Sequence, residues 1–399
     1  MNNSQTDELI NLCCDNFDRA KAFCANREAD VVLKDYRKRF KYICIFACGN
    51  LGRETFDLLN SYNVKADFYC DNNYPALIKD WNEKIPLISF EELCKIKEDC
   101  LVFVSLADNV TKHNQAVNEQ LENAGFKHVI HSPVWKNMLY FSRGIKDIDK
   151  DYFLDHVKAI LETISDQKSF DTISAVIKRI LTGYGDFNTR NSFSELYDPN
   201  QYFPDFIELS KEERFVDCGA YTGDTFEEFL KHTDNEFGHY YGFELFPENF
   251  VQLKEHVSLL TSQDKVSLFP YGVYSESKDL FGIFNKDGSR IAMGEKDTEA
   301  AQEKLQTITL DECLKGEKIT YLKMDIEDSE VPALMGAREL ITTQKPKCAI
   351  SMYHSLKQFL EIPEILKQMN PEYEFRYRMH STVGHDIVCY AINSSGMTR

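Results

Sequence analysis

The sequence predicts an α/β protein with two Rossmann-like parallel-sheet domains joined by a helical connector. A strand, a glycine-containing turn and a helix follow one another at Tyr42–Leu59 and again at Phe215–Phe229. Strands alternate with helices after each opening, which is typical of parallel sheets. Between the two, apolar residues recur at helical spacing. The predicted segments are a helical N-terminal segment (1–39), a Rossmann-like α/β module (40–137), a helical and loop-rich connector (138–210) and a second α/β domain (211–399).

Length and composition limit the classes of protein that this chain can represent. With 399 residues it is too long for one ordinary hydrophobic core. Its net charge of -18 disfavours nucleic acid as a partner, because phosphate backbones would repel it. The 12 cysteines show neither CxxC pairs nor zinc-type spacing, so we expect reduced thiols in a cytoplasmic protein. No apolar stretch is long enough to predict a membrane span.

The first module opens on the apolar run Tyr42–Phe46, which reads as a buried parallel strand. The turn that follows contains Gly49 and Gly52, and the next strand, Ala66–Cys70, ends at Asp71. Ala47 stands where a dinucleotide-binding turn has its first glycine, so that pattern is incomplete. Further strands are predicted at Leu101–Leu106 and Val129-Ile130, with helices around 90–96 and 112–124.

Three interpretations of the first module stay open, and the module is similar to those at the start of sugar-modifying enzymes. It binds a nucleotide or nucleotide-sugar through Gly49, Gly52 and Asp71, or it is a docking or dimerisation module without a ligand. The third interpretation is a redox domain that uses NAD.

The second opening carries the strongest sequence signal for a ligand site. A strand reaches Asp217, a turn of the form D-x-G-x-x-x-G follows, and then a helix begins. The glycines allow a tight turn and a close approach of a ligand, and the helix N-terminus offers amide donors to a carboxylate. Asp217 could hold the ammonium group of an amino-acid ligand directly or through water. The candidate binding residues are Asp217, Gly219, Ala220, Tyr221, Gly223 and Asp224.

A second acid supports a nucleoside ligand at the same place. The strand Tyr240–Phe243 ends at Glu244, where such folds place the carboxylate that accepts hydrogen bonds from ribose hydroxyls. NAD is the competing ligand, but the carboxylate of Asp217 ahead of the turn would repel a pyrophosphate. The same carboxylate suits a zwitterionic amino acid with a cationic sulfur, which favours S-adenosylmethionine as the cofactor.

Two later strands end in residues that suit proton transfer. Asp325 and Glu327 follow the strand Tyr321–Met324, and the carboxyl ends of parallel strands surround the ligand in such folds. His354 follows the next strand and is either a general base or a structural residue. Asp328 and Glu330 are interpreted as a solvated acidic helix start. The other predicted strands are Val266–Pro270, Leu280–Phe284, Lys347–Met352, Phe375–Arg378 and Ile387–Ile392, with Leu280–Phe284 and Leu305–Leu310 forming a hairpin insertion around Gly288.

Four ordered blocks across about residues 196–392 resemble the FkbM family of methyltransferases. They are FVDCGAYTGDTFEEF, FELFPENF, LKMDIEDSEVPALMGA and MYHSLKQFLEIPEIL. The resemblance implies a class I methyltransferase fold that uses S-adenosylmethionine to methylate hydroxyls of sugars and related compounds. It also implies that Asp217, Gly219, Gly223, Glu244 and Asp325 bind the cofactor, whereas Asp325, Glu327 and His354 line the acceptor side as catalytic residues. One departure is Asp328, because the family has glycine there.

We therefore expect an O-methyltransferase acting on a sugar or polysaccharide precursor, without a required metal ion. The alternative is a non-catalytic scaffold or a nucleotide-sugar-binding module in a polysaccharide-modifying assembly. The expected partner is a small-molecule or saccharide acceptor, and a homo-oligomer stays open.

Overall fold

The structure is a computed structural model that describes residues 3–25, 36–106, 112–131, 144–182, 193, 195–284, 290–294, 303–381, 384 and 386–393. The chain divides into two compact units. The first comprises Met1–Lys158, Gln167–Asp198 and Arg378–Ile387, and the second comprises Ala159–Asp166, Pro199–Tyr377 and Val388–Arg399. Gly288, around which the hairpin insertion was expected, lies outside the described residues. The segment boundaries at 39, 137 and 210 stay a prediction.

The elements before residue 183 alternate strands and helices after a long first helix. In chain order they are α1 (Asn3–Ala25), β1 (Tyr42–Phe46), α2 (Asn50–Ser61), β2 (Phe68–Cys70), α3 (Tyr74–Leu77), β3 (Leu87–Ile88), α4 (Phe90–Lys95), β4 (Cys100–Val104), α5 (Lys112–Asn123), β5 (Val129–His131), α6 (Lys150–Thr163) and α7 (Gln167–Thr182), with short 3-10 helices at Ile78–Asp80 and Lys97–Asp99.

The first sheet has five parallel strands in the order β3-β2-β1-β4-β5. Its two central strands are almost wholly apolar, because helices cover both faces of such a sheet. Ile43, Cys44 and Ile45 in β1 are fully buried, as is Val102 in β4. The strand order reverses between β1 and β4, so the chain leaves these neighbours toward opposite faces. The expectation of a Rossmann-like parallel sheet in this part of the chain is confirmed.

The elements after residue 213 form a larger α/β unit. In chain order they are β6 (Arg214–Cys218), α8 (Asp224–His232), β7 (His239–Phe243), α9 (Pro247–Leu260), β8 (Val266–Phe269), β9 (Gly272–Val273), β10 (Lys278–Phe284), β11 (Arg290–Gly294), β12 (Glu303–Ile308), α10 (Leu310–Cys313), β13 (Tyr321–Met324), α11 (Glu330–Met335), α12 (Arg338–Gln344), β14 (Lys347–Ser351), α13 (Leu356–Met369), β15 (Glu374–Met379) and β16 (Ile387–Ile392), with a 3-10 helix at Gln263–Lys265.

The main sheet of this unit has seven strands in the order β15-β16-β14-β13-β6-β7-β8. Strands β14, β13, β6, β7 and β8 run parallel, and β16 pairs with β14 antiparallel. Aromatic side chains fill one side of the sheet, with Phe215, Phe229, Tyr240 and Tyr321 in mutual ring contact. Because the parallel strands all point the same way, their carboxyl ends meet at one edge.

A smaller sheet is inserted between β8 and β13. Strand β10 pairs antiparallel with both β11 and β12, and β12 pairs parallel with β9, in the order β11-β10-β12-β9. The predicted pairing of Leu280–Phe284 with the segment at Leu305 is present, since Leu280 lies opposite Leu305. Among the described residues, no helix is both long and apolar enough to cross a membrane.

Candidate active site

The glycine turn after β6 is shaped by close contacts with neighbouring strands. Gly219 adopts φ +80°, and a Cβ on it would lie 1.9 Å from the carbonyl oxygen of Asp325, so only glycine fits. The N–H groups of Gly219 and Ala220 both donate to the carbonyl of Phe243, at 3.0 and 2.9 Å. Gly223, at φ +93°, then begins α8, and no side chain caps that helix. The amide donors at the start of α8 are therefore the part of the turn that can face a ligand.

Asp217 lies below the turn rather than in it. Its side chain is fully buried, Lys323 Nζ lies 2.9 Å from Oδ1, and the hydroxyl of Tyr240 donates to Oδ2 at 2.9 Å. Lys323 also donates to the carbonyl of Gly219 at 2.7 Å. Burial alone would lower the pKa of Lys323, but the negative charges of Asp217 and then Asp325 raise it, so the pair is ionic. A direct contact between Asp217 and a ligand would require both partners to move.

Glu244 is held at the end of β7 by backbone donors. The N–H of Tyr221 reaches Oε2 at 2.9 Å, and the N–H of Phe246 reaches Oε1 at 2.8 Å. Burial raises the pKa of Glu244, and these two donors act in the opposite direction. Each carboxylate oxygen has a second lone pair, so Glu244 can still accept hydrogen bonds from a diol.

Asp325 follows β13 and receives two phenolic hydroxyl groups. Tyr202 donates to Oδ2 at 2.7 Å, and Tyr353 donates to Oδ1 at 3.1 Å. Its own N–H donates to the carbonyl of Cys218 at 3.1 Å, which fixes the end of β13 against the end of β6. The Lys323 ammonium lies over the Tyr202 ring, 5.0 Å from its centroid. Asp325 is therefore a positioned carboxylate that stays partly exposed.

His354 connects this carboxylate to a buried glutamate. Its Nδ1 lies 3.1 Å from Oε1 of Glu330, and its Nε2 lies 3.5 Å from Oδ1 of Asp325 and 3.8 Å from Oε2 of Glu327. Glu330 is fully buried and also accepts from the N–H of Ile326 and from the amide of Gln358. The interpretation of Glu330 as a solvated residue is wrong, because it faces inward from the first turn of α11. Asp328 is exposed, as expected.

The protonation of His354 follows from these carboxylates. Burial alone would lower its pKa, but the hydrogen bond and charge of Glu330, with Asp325 and Glu327 behind it, raise the pKa to about 9. The imidazole is therefore mostly protonated at neutral pH. The ligand-type atoms of Asp325, Glu330 and His354 also lie within 4.8 Å of one another, a grouping that could hold a metal ion. Glu330 already engages both of its oxygens, and the expectation that no metal is required stays a prediction.

The residues predicted for this site divide into a group at one edge and a group behind it. Strands β7, β6, β13 and β14 are neighbours, so Glu244, the glycine turn, Asp325 and His354 follow the ends of adjacent parallel strands. Tyr221 and Asp224 are exposed beside the turn, and Glu327 is exposed beside His354. Sequence reasoning missed Lys323, Tyr240, Tyr202, Tyr353, Glu330 and Gln358. A lysine inside the apolar run Tyr321–Met324 was the one signal that pointed to a buried ionic partner.

The residues predicted for a ligand in the first unit border a separate cavity of about 410 Å³. Gly49 and Asp71 line it, together with residues that follow β1 and β4. Gly52 has a packing role instead, since a Cβ there would lie 2.1 Å from the carbonyl oxygen of Ala47. Ala47 adopts φ +82°, so the turn keeps the left-handed conformation for which glycine is usual.

Comparisons with known proteins identify the class of the second unit. Residues 217–377 match the sequence model of the methyltransferase FkbM domain. The chain therefore contains a methyltransferase domain, and the prediction that it is a methyltransferase is confirmed. No curated protein matches the chain.

Solved structures agree on the fold. The crystal structure of methyltransferase FkbM from Methylobacillus flagellatus KT matches with a TM-score of 0.67 and 19% identity, over 95% of this chain and 99% of that one. This likeness confirms the predicted methyltransferase fold. A putative rRNA methylase from Clostridium thermocellum matches at a TM-score of 0.29 and 14% identity, over 47% of this chain and 90% of that one. An rRNA methylase from Streptococcus thermophilus matches at 0.31 and 12% identity, over 46% and 89%.

Proposed function

We propose that this methyltransferase uses S-adenosylmethionine to methylate a hydroxyl group of a sugar or polysaccharide precursor. The observation that carries the proposal is the succession of Glu244, the glycine turn, Asp325 and His354 along the ends of four adjacent parallel strands. Ligands of open α/β sheets bind beyond these strand ends.

The cofactor side of the proposal assigns each contact to a group that has hydrogen-bonding capacity left. Glu244 accepts the ribose hydroxyls, and the amide donors at the start of α8 hold the methionine carboxylate. Asp217 acts indirectly, because its ion pair with Lys323 fixes the carbonyl side of the turn. Gly219 and Ala220 shape the turn, since their N–H groups already bond to Phe243.

The acceptor side supplies a path for one proton. The acceptor oxygen forms a bond to the methyl carbon as the carbon–sulfur bond breaks and its electron pair goes to sulfur. The hydroxyl proton passes to Asp325 or, when its imidazole is neutral, to Nε2 of His354. Holding both reactants in line supplies several kcal/mol of the barrier, up to about 10. Because the pKa of His354 is raised to about 9, a role as base makes the rate increase between pH 7 and 9.

The first experiment is calorimetry of the full chain with S-adenosylmethionine. We expect saturable binding that Glu244→Gln weakens, whereas absence of binding at millimolar cofactor would favour a non-catalytic scaffold. Transfer of a labelled methyl group is then screened against nucleotide-activated and lipid-linked sugars.

The role of His354 is tested by His354→Ala. We expect unchanged cofactor affinity and a turnover lowered by about 100-fold, the contribution typical of general-base catalysis. An unchanged turnover would remove His354 from the mechanism and leave Asp325 as the proton acceptor.

A further inference from the structure

The cavity in the first unit lies where an open parallel sheet offers room for a ligand. It occupies the gap at the ends of β1 and β4, where the strand order reverses. Its volume, about 410 Å³, is within the usual range for sites of small molecules. The loops after neighbouring strands leave toward opposite faces at such a point, which opens a crevice. The position follows from topology and does not involve the methyltransferase unit.

Gly49 is the residue that most directly indicates a ligand. It adopts φ -68° and ψ -167°, an extended conformation open to every residue. A Cβ on Gly49 would meet no atom within 4 Å, so packing does not require glycine either. By contrast, Gly52, one turn later, is required by its contact with Ala47. The backbone at Gly49 is therefore left open toward the cavity, and a ligand atom can approach it closely.

The start of α2 supplies donors for an anion at this point. The helix has 12 residues and begins after Gly49, and no side chain caps it. The first N–H groups of a helix have no acceptor within the helix, and they carry its positive end. Asn50 and Leu51, which begin α2, line the cavity. A phosphate group bound here would complete the cap that the protein does not provide.

Asp71 places a carboxylate at the opposite side of the same cavity. Its Oδ2 accepts the N–H of Cys48 at 3.0 Å, and its Oδ1 accepts the N–H of Asn73 at 2.8 Å. These bonds fix the side chain and leave one lone pair on each oxygen. A carboxylate after the second strand suits the hydroxyls of a ribose. Phe46, Leu106 and Val117 supply apolar surface for a base.

We propose that this cavity binds a nucleotide with a 5′-diphosphate, with phosphate at the start of α2, ribose at Asp71 and the base on the apolar wall. A free nucleoside diphosphate, a nucleotide-sugar and a dinucleotide share this chemistry. The site is separate from the methyltransferase site, so each proposal can fail without the other.

The test is calorimetry of the full chain with ADP, UDP, UDP-glucose and NAD+, each alone. We expect saturable binding of at least one, and the tightest of them identifies the source of the diphosphate. Gly49→Val introduces a side chain into open space, so folding is retained while the phosphate position is blocked. We expect this variant to bind at least tenfold more weakly, and a 2′,3′-dideoxy form of the ligand to lose a similar factor on the unchanged protein.

The controls separate this site from the cofactor site. Lys95→Ala on the exposed face of α4 should leave nucleotide affinity unchanged, and Gly49→Val should leave the unfolding midpoint and S-adenosylmethionine binding unchanged. No binding of any probe up to millimolar concentration would overturn the proposal. So would nucleotide binding that is equal in Gly49→Val, or that S-adenosylmethionine displaces.

Discussion

Replacing Glu330 by Gln tests whether a buried carboxylate sets the protonation of His354. The change removes the charge but keeps the shape of the side chain. Glu330 contacts Nδ1 of His354 at 3.1 Å and also accepts from Gln358. In the variant, a flip of the Gln358 amide lets its Oε1, which has no hydrogen-bond partner among the described residues, accept from the new amide. The fold should therefore be retained.

The expected effect can be worked out from the raised pKa. The difference between 6.5 and about 9 corresponds to about 3 kcal/mol in favour of the protonated imidazole, against the effect of burial. Glu330 is the largest favourable contributor. Without its charge, we expect the pKa of His354 to decrease by at least about one pH unit, which is about 1.4 kcal/mol.

The assay is a titration of the His354 ring protons by NMR, with His354→Ala to assign the signal. The wild-type ring should titrate near pH 9 and the variant ring clearly lower. The same linkage appears in stability, because a pKa raised on folding stabilises the protein fully below pH 6.5 and loses this contribution as pH rises through 9. The variant should show a weaker loss over that window. A wild-type ring that titrates near 6.5, or equal titration in both proteins, would refute the reasoning.

Two further predictions concern stability in denaturant. Ala47 and Asp328 adopt φ +82° and +76°, so Ala47→Gly and Asp328→Gly should each raise the free energy of unfolding by about 1 kcal/mol, because side chains are strained there; a decrease would show that their side chains make compensating contacts. Lys323→Met leaves the buried Asp217 without its partner and should cost about 3 kcal/mol or more. The double variant with Asp217→Asn should recover most of this loss, and additive losses would contradict a direct ion pair.

The sequence was sufficient for the parallel core of both sheets, because their strands are continuous apolar runs that end at an acid or a glycine. It was not sufficient for short or edge strands. Leu87–Ile88 is only two residues long, and its pairing with β2 supplies the order that local pattern lacks. Strand β11 was likewise missed, since antiparallel pairing with β10 rather than its own sequence defines it. Such strands depend on long-range pairing, which periodicity cannot reveal.

Within the site, strand-end acids could be predicted, but their partners could not. Position after a core strand was enough to select Glu244, Asp325 and His354. The burial of Glu330 depends on α11 turning its first residue inward toward His354, and local sequence favours an exposed acid at a helix start. Tyr202 reaches Asp325 from 123 residues away. Contacts of that kind arise from the tertiary fold and leave no periodic signal.

The charge balance of these residues bears on the choice of cofactor. Asp217, Glu330 and Glu244 are buried and Asp325 is mostly so, whereas Lys323 and His354 are the cations that contact this group among the described residues. Four carboxylates therefore face two cations. A pyrophosphate placed here would add negative charge to a site that already has an excess, and electrostatic repulsion between poorly solvated groups is costly. A sulfonium adds the opposite charge. The same reasoning that favours S-adenosylmethionine at this edge leaves the first unit, with its uncapped helix and single carboxylate, as the better place for a diphosphate.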